Sequence, residues 1–374
     1  MSLLHQHWTA SRLPLVCVLL CAVLSGCQVG YYGQAAKGHW SLMGKREPVA
    51  DVLSDADTSP ELANKLRFSQ QVIAFAGEAL SLPADDVYHQ YVALEQDAVV
   101  WNVLAAPAYS LTPKTWCYLM IGCVSYRGYF DKGRATREAD ALAEDGMDTF
   151  VGGAIAYSTL GWFADPLTTP MLERSRPSLA QLLIHELVHR KVYIKDDTRF
   201  NESLATLVGR EGAVDYFAHS GEPLSAAYWQ QREQVQDAFM AIVQATRAAL
   251  KELYASAQDA DALAQEKTRI LQQARDRFAR ESQAQPALKA YASFFDGRLN
   301  NARLNGVSDY NDYVPAFARL LDQCQRDWGC FWQQVDNLVA LTPAQRTDAL
   351  EGLHGTDSHA AAGTGRFVCE NPAA

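Results

Sequence analysis

Apolar and polar positions divide this chain into stretches of different period. From about Leu224 to Phe295 it is rich in Ala, Gln, Glu and Arg and poor in Gly and Pro. Phe239, Ile242, Val243, Leu250 and Leu253 recur there at helical spacing. The pattern predicts two long helices, roughly 224–256 and 258–283, folded as an antiparallel hairpin, with a third helix over 286–295. Helical patterning also covers Glu61–Ala79 and Val87–Leu104, and a final helix reaches Leu341. Trp116–Phe130 and Thr149–Trp162 differ, because Tyr, Val and Gly make them read as strands whose glycines permit close backbone approach. Within the second, Gly153, Ala154 and Tyr157 are candidates for a sheet edge that holds a substrate backbone as an added strand. A core hairpin without substrate contact reads equally well. The fold class expected is α+β and mostly helical, with a small mixed or antiparallel sheet and the long helical hairpin.

The segment before this patterned region has another character. Leu13 to Leu24 is an apolar run broken only by Pro14 and preceded by Arg12. It is too short for an ordinary transmembrane helix and fits the apolar core of a secretory leader. It ends Leu24-Ser25-Gly26-Cys27, which resembles a bacterial lipobox, so Cys27 is the expected site of lipidation. Several acyl chains would anchor the mature chain stably, each buried CH₂ contributing about 0.8 kcal/mol. Gln28, where an Asp would retain the protein at the inner membrane, fits the outer membrane facing the periplasm. The organisation expected is a leader over 1–27, a tether and lead-in over 28–50, one large domain over 51–345 carrying the helical arm at about 224–295, and a disordered tail over 346–374.

The candidate chemistry lies at His185-Glu186-Leu187-Val188-His189. With 9 His among 374 residues, this H-E-x-x-H pattern is expected roughly 0.01 times by chance. On a helix, positions four apart leave the same face one turn apart, so both imidazoles can reach one Zn²⁺ ion. Glu186 then stands where a carboxylate can take a proton from zinc-activated water. A third ligand is needed. Glu202 follows in a helix expected over about Phe200 to Val208, whose small Ala205 and Gly209 would let it pack closely on the HELVH helix. Glu211 is the rival, near Gly209 and Gly212 where the helix is expected to end. Asp196 and Asp197 fit better as partners of the His rings or as helix caps. A donor for the developing oxyanion is sought in Tyr310 or Tyr313, ahead of Tyr157 and His219. Asn300 and Asn301 could bind a peptide backbone or cap a helix.

Several segments carry a family resemblance: Tyr31-Tyr32, Gln34-Ala35-Ala36 and Gly38; Tyr126 to Asp131; Ala156 to Phe163 with Asp165-Pro166; HELVH with Tyr193, Asp197-Thr198, Asn201 to Ala205 and Gly209; and Asn300-Asn301-Ala302. Together they resemble the bacterial predicted-aminopeptidase lipoproteins over nearly all of the mature chain. The resemblance implies a metallopeptidase in the cell envelope and says less about substrate.

Cysteine and charge narrow the reading. After Cys17, Cys21 and Cys27, five Cys remain, and Cys117/Cys123 and Cys324/Cys330 could each close a small loop in an oxidising compartment. Four Cys allow three connectivities, so the pairing stays open, and Cys369 is left over. A formal net charge of -10 argues against nucleic acid as ligand. The function expected is a lipid-anchored, zinc-dependent peptidase, an aminopeptidase in mode, with a peptide as substrate and the membrane as partner through Cys27. The alternatives are an envelope endopeptidase or amidase using the same zinc site, and a non-enzymatic envelope lipoprotein that binds a protein partner through its helical arm.

Overall fold

The computed structural model describes residues 30–85, 87–118, 122–156, 165–222, 224–256, 259–308 and 311–354. The chain is α+β and mostly helical, with three small sheets. A helix over residues 30–43 (α1) leads to β1 (Glu47–Pro48), α2 (Val49–Ser54) and α3 (Pro60–Leu80). Then come β2 (Gln90–Val92), β3 (Val100–Pro107), β4 (Trp116–Tyr118), β5 (Gly122–Val124), β6 (Tyr126–Tyr129), α4 (Lys132–Glu144), β7 (Met147–Ala154) and β8 (Leu167–Thr168). The helical remainder is α5 (Thr169–Leu172), α6 (Arg176–Lys191), α7 (Thr198–His219), α8 (Ala226–Tyr254), α9 (Ala260–Ala284), a 3₁₀ turn (Pro286–Tyr291), α10 (Ala292–Asp296), α11 (Asn301–Ser308), α12 (Val314–Gln323), α13 (Trp328–Val339) and α14 (Pro343–His354). No helix of the described residues is long and apolar enough to cross a membrane.

Antiparallel β6-β3-β7 forms one sheet, with α4 packed against it through Ala135, Ala139 and Leu142. β1-β2-β8 forms a second, and β4-β5 is a hairpin closed by the disulfide Cys117–Cys123. A second disulfide, Cys324–Cys330, bridges α12 and α13, so both pairings are the local ones. The largest core lies between helices. Phe200, Leu183, Ile184, Leu187, Leu204, Phe317 and Phe331 are fully buried there. A separate core joins α8 and α9 to the 3₁₀ turn and α10, where Phe239 stacks on Tyr291 and Phe278 on Phe295.

Several elements differ from the sequence expectation. Val87–Leu104 is β2 and β3 rather than a helix. β3 is the central strand of its sheet, so Val99, Val103 and Ala106 are all buried, a spacing that mimics one helix face. Residues 28–50 are not a plain tether, because α1 begins at residue 30 and packs Leu42 and Met43 against Val92, Val99 and Val100. Disorder from residue 346 is also corrected. α14 continues to His354, held by the buried Arg346, which donates to Asp197 Oδ2 at 3.0 Å and to the carbonyl of Leu341 at 3.0 Å. Residues 355–374 lie outside the described residues. The single final helix is three, α12 to α14.

Candidate metal centre

Helix α6 starts with Pro177 in its first turn, where a missing N–H costs no hydrogen bond. Leu179, Ala180, Leu183, Ile184, Leu187 and Val188 are buried along it. HELVH therefore lies in a core helix, with His185 and His189 one turn apart and their Nε2 atoms 3.2 Å from each other.

Helix α7 passes back over α6, and every residue from Phe200 to Gly209 is buried. A Cβ on Gly209 would lie 2.7 Å from the Gln181 carbonyl oxygen and 3.2 Å from His185 Cβ, so only glycine permits this approach. Gly212 sits as closely on Ile184 and Leu80. These glycines are contact positions, and the helix runs through both instead of stopping near Val208 as its sequence suggests. Two turns before Gly209, Glu202 Oε2 comes 3.3 Å from His185 Nε2 and 3.5 Å from His189 Nε2.

The loop between the helices is fixed on several sides. Asn201 receives the Ile194 N–H and donates to the Ile194 carbonyl, both at 2.8 Å. Asp197 caps α7 by accepting the Phe200 N–H at 3.1 Å and also receives Arg346. Asp196, at φ 67°, accepts the Cys123 N–H, which ties the disulfide hairpin to this loop. Gly122, at φ +79°, leaves no room for a Cβ beside Asp196 and Lys195. The two aspartates thus act as caps and clasps.

The three side chains fit a cation. One ligand atom from each of His185, His189 and Glu202 lies within 4.8 Å of the others. Glu202 Oε2 is buried and has no hydrogen bond, as is true of His189 Nδ1. A buried carboxylate oxygen without a donor is costly, and a cation between it and the imidazoles removes that cost. Two imidazoles and one carboxylate form the donor set of a catalytic zinc site that keeps one position open.

Electrostatics divide the two glutamates. Burial alone would raise Glu202, yet His189 and His185 outweigh it and hold the carboxyl down to about 2. Burial would lower His189, but Glu202 and Glu186 beside it raise it above the usual imidazole value. Burial pushes the Glu186 carboxyl up, against the opposite pull of both imidazoles. One glutamate is thereby a fixed anion and the other a group able to exchange a proton.

The structure does not bring every candidate to this place. Glu211 is held by Arg326 at 2.8 Å, which removes it as the rival ligand. His219 stacks on Phe75 and lies 17 residues beyond Glu202 on α7, about 25 Å along the helix. Tyr313 is a core residue whose N–H donates to Ser203 Oγ at 3.2 Å and whose ring lies under Arg199. Asn300 and Asn301 do not face open space. They bind Thr149, Pro107, Ala108 and Ser110 carbonyls and join α11 to the sheet. Gly153 and Ala154 pair with Trp101 and Val100 on β7, which is an edge strand of its sheet. Tyr157, Tyr310 and Cys27 lie outside the described residues.

Two tyrosines were not assigned a role from sequence. Tyr126 on β6 is raised by burial and then by the charges of Glu202, Tyr193 and Glu186. Tyr193, four residues past His189, is raised by burial, Glu202 and Asp196. Both phenols are held in the protonated form, and both feel the charge of Glu202. Their signal was present, since both fall in segments that carry the family resemblance.

A family model described as putative aminopeptidase matches residues 30–350. No curated protein and no solved structure matches the chain.

Proposed function

The chain belongs to the family described as putative aminopeptidase, and on that premise we propose that it is a zinc-dependent peptidase, an aminopeptidase in mode, anchored by lipid at Cys27 to the outer membrane and facing the periplasm. One observation carries the chemistry: Glu202 Oε2, buried and without a hydrogen bond, faces two imidazole nitrogens at 3.3 and 3.5 Å. His185, His189 and Glu202 would hold the ion. When bound, Zn²⁺ supplies Lewis acidity to the scissile carbonyl and the attacking water. Glu186, whose carboxyl burial pushes up, takes the proton of that water and passes it to the leaving amine. Tyr126 and Tyr193, whose phenols feel the charge of Glu202, join Tyr310 as candidate donors to charge developing at the carbonyl oxygen. The edge strand β7 is the proposed place for an extended peptide at Gly153 and Ala154, although the Ala154 carbonyl already accepts the Val99 N–H at 2.8 Å. The two disulfides support an oxidising compartment.

The test measures metal content by mass spectrometry, together with hydrolysis of peptides bearing free or blocked N-termini. The wild type is expected to carry about one zinc per chain and His189→Ala none. Glu186→Gln is expected to keep zinc and lose about 10²–10⁴-fold in rate. Full activity in Glu186→Gln would sink the mechanism. Equal cleavage of blocked peptides would move the protein to the endopeptidase or amidase class.

A further inference from the structure

Helix α1 has one face built into the fold and one left largely exposed, where Tyr32 reaches the fold through the edge of the Tyr118 ring, 6.4 Å away between centroids. On the inner face, Tyr31 packs on Tyr118 and Tyr129 at 5.6 Å each, with Arg127 4.2 Å above its ring. Gly38 lies so close to Phe130 that a Cβ would overlap the ring, and Leu42 and Met43 are buried. The helix is therefore fixed in rotation. Its outer face carries Tyr32, Ala36 and Trp40, spaced four apart and all exposed. Trp40 is 66% exposed and Tyr32 45%. Among the described residues only four large hydrophobics are exposed, and two of them are on this one face.

Charge separates this region from the rest of the chain. Residues 28–46 contain Lys37, Lys45 and Arg46 and no acidic residue, whereas the whole chain has a net charge of -10. The three cations are exposed. Trp and Tyr beside Lys and Arg is the composition that settles at the headgroup level of a bilayer: the rings lie among the upper acyl carbons and the cations meet phosphates. Cys27 is three residues before Gly30, the first described residue of α1. At 3.3–3.6 Å per residue, that tether keeps the helix start within about 10 Å of a lipid attached there.

We infer that the outer face of α1 (Tyr32, Ala36 and Trp40, with Lys37), together with Lys45 and Arg46 in the turn that follows it, lies on an anionic phospholipid surface. The inference rests on the lipid-anchor reading above, and the two are separable by experiment. α1 is a second, non-covalent attachment that fixes which side of the molecule meets the membrane, since a lipid chain alone leaves the protein free to swivel.

The test uses the full mature chain, purified in detergent and reconstituted on vesicles of phosphatidylethanolamine and phosphatidylglycerol with acyl chains brominated just below the headgroup. Eight Trp are present and Trp8 lies in the leader segment, so Trp40 supplies roughly one-seventh of the emission. Bromolipid is expected to quench about that share in the wild type and none of it in Trp40→Phe. The quenched share should fall in the double variant Lys37→Glu/Lys45→Glu and when phosphatidylcholine replaces phosphatidylglycerol. Equal quenching in wild type and Trp40→Phe would overturn the inference. So would a lipid-free dimer that dissociates on Trp40→Phe, which would make a second copy the occupant. The mass of the N-terminal peptide reads acylation independently. An unmodified peptide refutes the anchor, and Trp40 quenching then still decides the face.

Discussion

The α6–α7 pair and the α8–α9 arm are both built from long helices, and they treat polar groups in opposite ways. In the arm, buried polar groups are matched. Lys267 donates to Asp148 Oδ2 at 2.6 Å and to the Ala108 carbonyl at 2.8 Å, Thr246 donates to the Ile242 carbonyl, and Tyr254 donates to Asn301. Its core adds aliphatic packing and aromatic stacks, Phe239 on Tyr291 at 4.0 Å and Phe278 on Phe295 at 4.3 Å. In the α6–α7 pair, Glu202 Oε2 and His189 Nδ1 are buried without hydrogen bonds. Leaving a buried polar atom unmatched costs about 1–3 kcal/mol. Glu202 Oε2 stands apart from the other unmatched atoms because it faces two imidazole nitrogens at 3.3 and 3.5 Å, a geometry that fits a cation. The α6–α7 contact, unlike the arm, brings together three side chains that could hold a metal.

The sharpest way to break this contrast is to remove a ligand. Glu202→Ala is expected to abolish stoichiometric metal binding and Glu211→Ala to retain it, read by elemental analysis after zinc-replete purification. Loss in Glu211→Ala with retention in Glu202→Ala would reverse the assignment. The arm gives the complementary result. Phe278→Ala removes a stacked ring and should cost about 3–5 kcal/mol in denaturant unfolding, with metal content per folded molecule unchanged. A smaller effect, about 1–3 kcal/mol from overpacking, is expected for Gly209→Ala. There, unlike in the arm, lost stability should come with weaker metal binding, because α7 must move away from His185 and carry Glu202 with it.

The mildest test uses pH. His189 is raised above 6.5 in the metal-free fold, so its stabilising effect is complete below 6.5 and is lost as pH rises through the folded value. Glu202 is depressed to about 2, so its effect is present above 4.5 and is lost as pH falls toward 2. The metal-free centre is thus best matched between about pH 4.5 and 6.5. Metal must displace the proton on His189, so the gain in melting temperature on adding zinc should grow as pH rises from 6 to 8. A gain independent of pH would mean that His189 is not a ligand.

Local information was legible in the sequence, and long-range placement was legible only in part. The HELVH spacing needs nothing beyond a helix to bring two imidazoles together. Glu202 could be reached from the small residues that follow it, because Ala205 and Gly209 imply a close helix neighbour. The same Gly209 also suggested a helix end, since glycine serves both purposes and only the packing partner, the Gln181 carbonyl, decides. β3 was misread because both of its faces are covered, Val103 and Ala105 by α4 and Leu104 by α11, so its burial does not alternate. Tyr126 and Tyr193 carry no local signature. Tyr126 is placed by strand pairing with Leu104, and Tyr193 by the clasped loop after α6.

The cap of α7 sets an order of events during synthesis. Asp197 holds the first turn of the helix that carries Glu202, and it is gripped by Arg346, 149 residues later. A nascent chain can form HELVH and even lay α7 on α6, but this clasp closes only after α14 has been made. A chain interrupted before Arg346 would carry His185, His189 and Glu202 but lack the side chain that clasps Asp197.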